Sequence, residues 1–167
     1  MKLSPSKITC LWALFVLSSA FYARWCFNTA ARWLGFPDTL LVWGVLGVFS
    51  LALVWQLRHT PAWATLKTLL VLGVGLSGAA AMQISIERMH LVKYGVMGFL
   101  YTRDLMARNP DKKRFQILAV CTLLCSMVAA LDETIQYFIP NRVGDIRDVG
   151  LGALGALWGT MMATLIN

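Results

Sequence analysis

Charge is what this sequence has least of. Only 14% of its 167 residues are Asp, Glu, Lys or Arg, against about 25% in soluble domains. With 58% hydrophobic residues and a mean hydropathy of +0.65, that shortage excludes a disordered chain and a soluble globular domain. Proline and glycine are too sparse for a collagen-like chain, at 5 and 13 residues. Cysteine is equally uninformative as a scaffold. Cys10, Cys26, Cys121 and Cys125 form no CxxC pair and no Cys/His ligand spacing, so neither a disulfide framework nor a zinc module is expected. Low-complexity tracts, internal repeats, a Gly-rich phosphate loop and Ser/His/Asp or Cys/His catalytic arrangements are absent too.

What the chain does have is apolar runs of about 20 residues, each long enough to cross a bilayer. Six such spans are expected, at about 8–24, 39–57, 64–83, 88–104, 115–138 and 148–166. The expected fold is therefore all-α, a polytopic integral membrane helical bundle forming one membrane domain over 1–167, with no room for a separate soluble domain. The first loop, 24–38, carries Trp25, Trp33, Phe36 and Pro37, a composition suited to the headgroup level. The second is a tight turn at Arg58-His59-Thr60-Pro61 between Trp55 and Trp63. The third break, 82–88, has neither Gly nor Pro. The fourth loop, 103–114, is the most basic, and the fifth, 139–147, contains Pro140 and Gly144. Lys2 and Lys7 before an apolar stretch, with Ser18-Ser19-Ala20 behind it, resemble a cleavable signal peptide. An uncleaved first span is the preferred reading, because further spans follow.

The formal net charge is +7 and the pI about 9.6. In a soluble protein that surplus would suggest nucleic acid; here it follows from the Lys/Arg bias of cytoplasmic loops. With the N-terminus inside, nine basic residues fall on the cytoplasmic side (Lys2, Lys7, Arg58, Lys67, Arg103, Arg108, Lys112, Lys113, Arg114) and five outside (Arg24, Arg32, Arg88, Arg142, Arg147), while Lys93 lies within a span. The expected topology is N-in and C-in.

That topology sends ionisable side chains to one leaflet. Span four begins outside with Glu87, Arg88, His90 and Lys93, and span five ends outside with Asp132, Glu133 and Gln136. Phe115 to Asp132 is about 25 Å of helix rise, which puts Asp132 near the outer edge of the hydrocarbon core. Span six is preceded by Arg142, Asp145, Arg147 and Asp148. Ionisable groups at such depth are costly, so they face the protein interior or a wet cavity and pair with one another. Bland roles compete for each. Asp145 or Asp148 suits an N-cap of span six. Glu133 with Lys93 or Arg142 suits an interhelical network, and Arg142 equally suits a lipid phosphate. Gly152 with Ala156, and Gly155 with Gly159, are small residues at i, i+4 and are expected to pack helices closely. His90 with four outer carboxylates offers donors for a divalent metal, but no tight ligand spacing supports one, so no metal is expected.

In order and spacing, these residues resemble the VanZ-like family of small membrane proteins. The resemblance rests on His90 followed four residues later by Tyr94, on Asp132-Glu133-x-x-Gln136, on Pro140-x-Arg142-x-x-Asp145-x-x-Asp148 and on Gly155-x-x-x-Gly159, and it covers about 85–166. It carries over His90, Tyr94, Asp132, Glu133, Gln136, Arg142, Asp145 and Asp148 as family-like positions. Two positions depart: Lys93 stands where the family often has Glu, and Gly152 where it commonly has Asn. The resemblance implies a bacterial cytoplasmic-membrane protein with an envelope role, since the founding member is associated with resistance to teicoplanin, which acts outside that membrane. It implies no defined reaction.

The expected function is therefore a non-enzymatic envelope protein whose outer polar cluster binds a lipid headgroup, a lipid-linked precursor or a membrane partner. The alternatives are an enzyme using carboxylate acid/base chemistry on a lipid-linked phosphate, and a transporter, which the apolar inner halves of the spans disfavour. Membrane lipids are the expected partners. Small-residue helix surfaces permit an oligomer, and no cofactor or nucleic acid is implied.

Overall fold

The computed structural model describes residues 5–35, 37–82, 85–140 and 142–166. Lys2, Phe36 and part of the third break lie outside the described residues. Among the described residues there are six α-helices, α1 (Lys7–Leu34), α2 (Asp38–Gln56), α3 (Ala62–Ala81), α4 (Ser85–Arg108), α5 (Arg114–Phe138) and α6 (Ile146–Ile166), with a 3-10 turn at Leu57–His59 between α2 and α3.

The expected all-helical bundle is what is found, with shifted boundaries. The first helix does not stop near Arg24; it runs to Leu34 and ends at Gly35, in the left-handed region at φ 65°. Arg and Trp mark an interface without breaking a helix; the break waits for a residue that takes positive φ without a Cβ penalty and for the proline two positions on. Ser6 caps the other end of α1 by accepting from Thr9 N–H at 3.3 Å. The fourth helix is likewise longer than its apolar run, covering 85–108 rather than 88–104.

Five helices, α1, α2, α3, α5 and α6, are long and apolar enough to span a membrane; α4 falls short. Its surroundings give the reason. Every residue from His90 to Gly95 is buried, and α4 supplies none of the exposed large hydrophobics among the described residues, whereas α1, α2, α3 and α5 each supply several, such as Leu14, Val48, Val74 and Leu123. A helix enclosed by other helices has no lipid to match, so its sequence is free to be polar.

Helix α6 is the main neighbour of α4, and glycine makes the contact. A Cβ on Gly155 would lie 2.5 Å from the Leu91 carbonyl oxygen, and one on Gly159 would overlap the Gly95 carbonyl. Ala156 is fully buried in the same face, against Tyr94 and Met97. The small-residue stripe thus packs α6 on α4, backbone against backbone. Trp158 fills the space towards α3, donating to the Val71 carbonyl at 2.8 Å and packing on Phe49. Helix α1 runs antiparallel to α4. Its start is fixed where Asp104 accepts from Ser6 N–H (2.7 Å) and Thr9 Oγ1 (2.6 Å), and further along Trp12 donates its indole N–H to the Lys93 carbonyl at 3.0 Å.

Candidate functional site

The polar site is built at one end of the bundle by α4, α5, the start of α6 and the connection 139–145. On α5, Asp132, Glu133 and Gln136 are all buried although Glu133 is rotated by about 100° from Asp132. Both directions are enclosed because α4 and α6 lie against that side of α5.

Asp132 is fully buried and meets two partners through one oxygen. Its Oδ2 lies 3.1 Å from Lys93 Nζ and accepts from the Tyr94 hydroxyl at 2.8 Å. Lys93 reaches further, to Ser19 Oγ on α1 at 3.4 Å. Sequence reasoning offered Glu133 as the partner of Lys93 or Arg142. The structure instead pairs Lys93 with Asp132, and Arg142 donates to the Ala20 carbonyl at 3.0 Å. Burial, with Arg24 nearby, pulls the Arg142 guanidinium below its ordinary pKa.

Glu133 is held by Gln136 Nε2 on Oε1 at 2.8 Å and by the Asp145 backbone N–H on Oε2 at 3.0 Å. It thereby fixes the approach of the chain to α6. The two candidate caps separate cleanly. Asp145 Oδ1 accepts from Arg147 N–H at 2.8 Å, the geometry of an N-cap. Asp148, one turn into α6, faces His90 instead: His90 Nε2 lies 3.7 Å from Asp148 Oδ2, and His90 Nδ1 lies 3.7 Å from Glu133 Oε1. The His90 ring stacks on Tyr94 with centroids 6.2 Å apart. His90, Lys93, Tyr94, Asp132, Glu133, Gln136 and Asp148 therefore share one cluster, with Asp145 bound to it through its backbone and Arg142 beside it.

A cavity of about 540 Å³ opens against this cluster, within the size range of ligand sites. Lys93, Arg142, Arg24, His90 and Gln136 supply much of its polar wall, and Phe15, Val42 and Met89 part of its apolar wall; among the described residues no carboxylate lines it.

A profile of the VanZ/LLP1 family matches residues 8–167, essentially the whole chain. The chain belongs to the VanZ/LLP1 family. Searches of curated proteins and of solved structures gave no significant match. The VanZ match reaches beyond the motif-bearing second half, and the structure supplies a physical reason for α1 to be part of it. Ser19 contacts Lys93, the Ala20 carbonyl anchors Arg142, and α1 forms one wall of the cavity. None of this was legible beforehand, because a serine in an apolar helix has no pattern of its own; the one hint, Ser18-Ser19-Ala20, pointed to a cleavage site.

Both departures from the family pattern also find a place. Lys93 stands opposite Asp132 and neutralises it. At Gly152 a Cβ would come within 2.7 Å of the Ala129 Cβ and 2.9 Å of Tyr94 Cδ2, so with Tyr94 on Asp132 the site has no space for a side chain there.

Proposed function

We propose that this VanZ-family membrane protein holds the anionic headgroup of an envelope lipid, or of a lipid-linked precursor, in the cavity beside the polar cluster, and that occupancy alters how external glycopeptide-type agents reach their targets. The observation that carries the reading is the charge asymmetry of the cavity wall: among the described residues, Lys93 and Arg142 line it and no carboxylate does. Arginine forks and ammonium groups recognise phosphate oxygens, and the apolar side at Phe15, Val42 and Met89 suits the first methylenes of a lipid tail. The carboxylates stand behind this wall and hold Lys93 and the approach to α6 in place. In this reading α4 crosses the membrane as an enclosed sixth span, and the cavity faces the outer leaflet of a bacterial cytoplasmic membrane, as the basic-residue bias favours.

The test combines binding and sidedness. Protein in nanodiscs should retain anionic phospholipid over zwitterionic lipid in native mass spectrometry, and Arg142→Gln should reduce that preference about tenfold, the loss of one charge-assisted contact of ~1.5 kcal/mol. Single cysteines at the exposed Tyr137, Val143 and Ile146 beside the cluster, in a background lacking exposed Cys10 and Cys26, should label from outside intact cells. Equal retention of both lipid classes, or labelling only from the cytoplasm, would sink the proposal.

A further inference from the structure

Two atoms of the polar cluster remain without a partner. His90 Nδ1 and Asp132 Oδ1 are buried and make no hydrogen bond, in side chains that are 3% and 0% exposed. Leaving a buried polar atom unpaired costs ~1–3 kcal/mol, so two such atoms in one cluster need an explanation. Each faces a third group: donor atoms of His90, Asp132 and Glu133 all lie within 4.8 Å of one another.

We propose that His90, Asp132 and Glu133 form a binding site for one divalent transition-metal ion of the zinc type. Three features of the geometry carry this. First, His90 Nδ1 and Glu133 Oε1 are 3.7 Å apart, too far for a hydrogen bond. Two ligands of one zinc ion, each bound at ~2.1 Å with a tetrahedral angle, stand ~3.4 Å apart, so an ion fits between them with a small closing movement. Second, outer-shell groups stand close by. The other ring nitrogen of His90 lies 3.7 Å from the Asp148 carboxylate, beyond hydrogen-bond reach, and the same closing movement that seats the ion would bring the two into the carboxylate–histidine arrangement that selects a tautomer. Gln136 and the Asp145 backbone hold Glu133 in a similar way. Third, carboxylates outnumber cations at the cluster. Asp132, Glu133 and Asp148 stand against Lys93 and the neighbouring Arg142, an excess of negative charge that a cation would offset. Lys93 occupies only Oδ2 of Asp132, so Oδ1 is available to the ion. A mixed imidazole–carboxylate set favours Zn²⁺ or Co²⁺ over Mg²⁺ or Ca²⁺.

The inference does not depend on the headgroup reading, because it is read without lipid. Purified protein loaded with Zn²⁺ or Co²⁺ alone, then desalted, should retain one metal per chain by elemental analysis. The Co²⁺ form should show d–d bands of a nitrogen–oxygen site without the near-ultraviolet band of a thiolate ligand. His90→Ala and Glu133→Gln should lower affinity at least 100-fold. Asp148→Asn, acting through His90, should lower it 10- to 100-fold. His59→Ala, at the α2–α3 turn, should change nothing. Circular dichroism and gel filtration identify variants that are folded; should His90→Ala fail, the isosteric Glu133→Gln and Asp148→Asn decide. Metal content unaffected by the folded variants, a thiolate band, or no retained metal would each overturn the proposal.

Discussion

Replacing Lys93 with methionine keeps an unbranched side chain, one atom shorter, and removes its charge. In the native protein Asp132 is fully buried, with Lys93 Nζ at 3.1 Å and the Tyr94 hydroxyl at 2.8 Å as its partners. Lys93→Met leaves a buried carboxylate with one neutral donor. Breaking a buried ion pair from one side costs ~3–5 kcal/mol, mostly the penalty of the charge left behind, or roughly 10²- to 10⁴-fold in the unfolding equilibrium. The double variant Lys93→Met/Asp132→Asn removes both charges and keeps an acceptor for Tyr94. It should recover most of the loss and come within ~1–2 kcal/mol of the parent, since replacing a buried pair outright is often close to neutral. The assay is reversible unfolding in mixed micelles over an SDS gradient, followed by circular dichroism for the parent, both single variants and the double. A coupling energy of at least ~2 kcal/mol is expected. A loss below ~1 kcal/mol for Lys93→Met, or additive single losses, would refute the assignment of Lys93 as the counter-ion of Asp132.

Four further outcomes follow from the packing and the caps. Gly159→Ala should cost ~3 kcal/mol in the same assay, because its Cβ meets the Gly95 backbone rather than a movable side chain. Gly150→Ala, with open space around its Cβ, should be neutral or stabilising by up to ~1 kcal/mol. Asp145→Ala should cost ~1 kcal/mol through loss of the α6 cap, whereas Asp145→Asn, which keeps a capping oxygen, should retain most of that stability. Trp158→Phe should cost ~1 kcal/mol, since the part-buried indole bond to the Val71 carbonyl is lost.

The elements most legible in the sequence were those governed by period and solvent. Five apolar helices follow directly from runs that only lipid would accept. The convergence of His90, Asp132, Glu133 and Asp148 followed from counting helix ends, because an ionisable side chain near membrane depth has few places to go. Which partner each group takes did not follow. Whether Lys93 meets Asp132 or Glu133 depends on the rotation of α5 about its axis, and glycine contacts with α6 fix the position of α4, which no local pattern encodes. The length of α1 was hidden for a different reason: Arg24, Trp25 and Arg32 report where a membrane surface lies, while the helix is ended by Gly35. The unpartnered atoms of His90 and Asp132 required coordinates, since spacing along the chain says nothing about a cluster drawn from two helices.

The enclosure of α4 has a bearing on how the protein is made. Chains enter membranes from the N-terminus, and α4 emerges before the two helices, α5 and α6, that cover most of it. With Glu87, Arg88, His90, Lys93, Arg103 and Asp104 along its length, it is poorly suited to partition into lipid alone. In the six-span arrangement proposed above, its integration waits for its later neighbours. A nascent chain stopped after Arg108 should leave α4 outside the bilayer, and one stopped after Ile166 should bring it in.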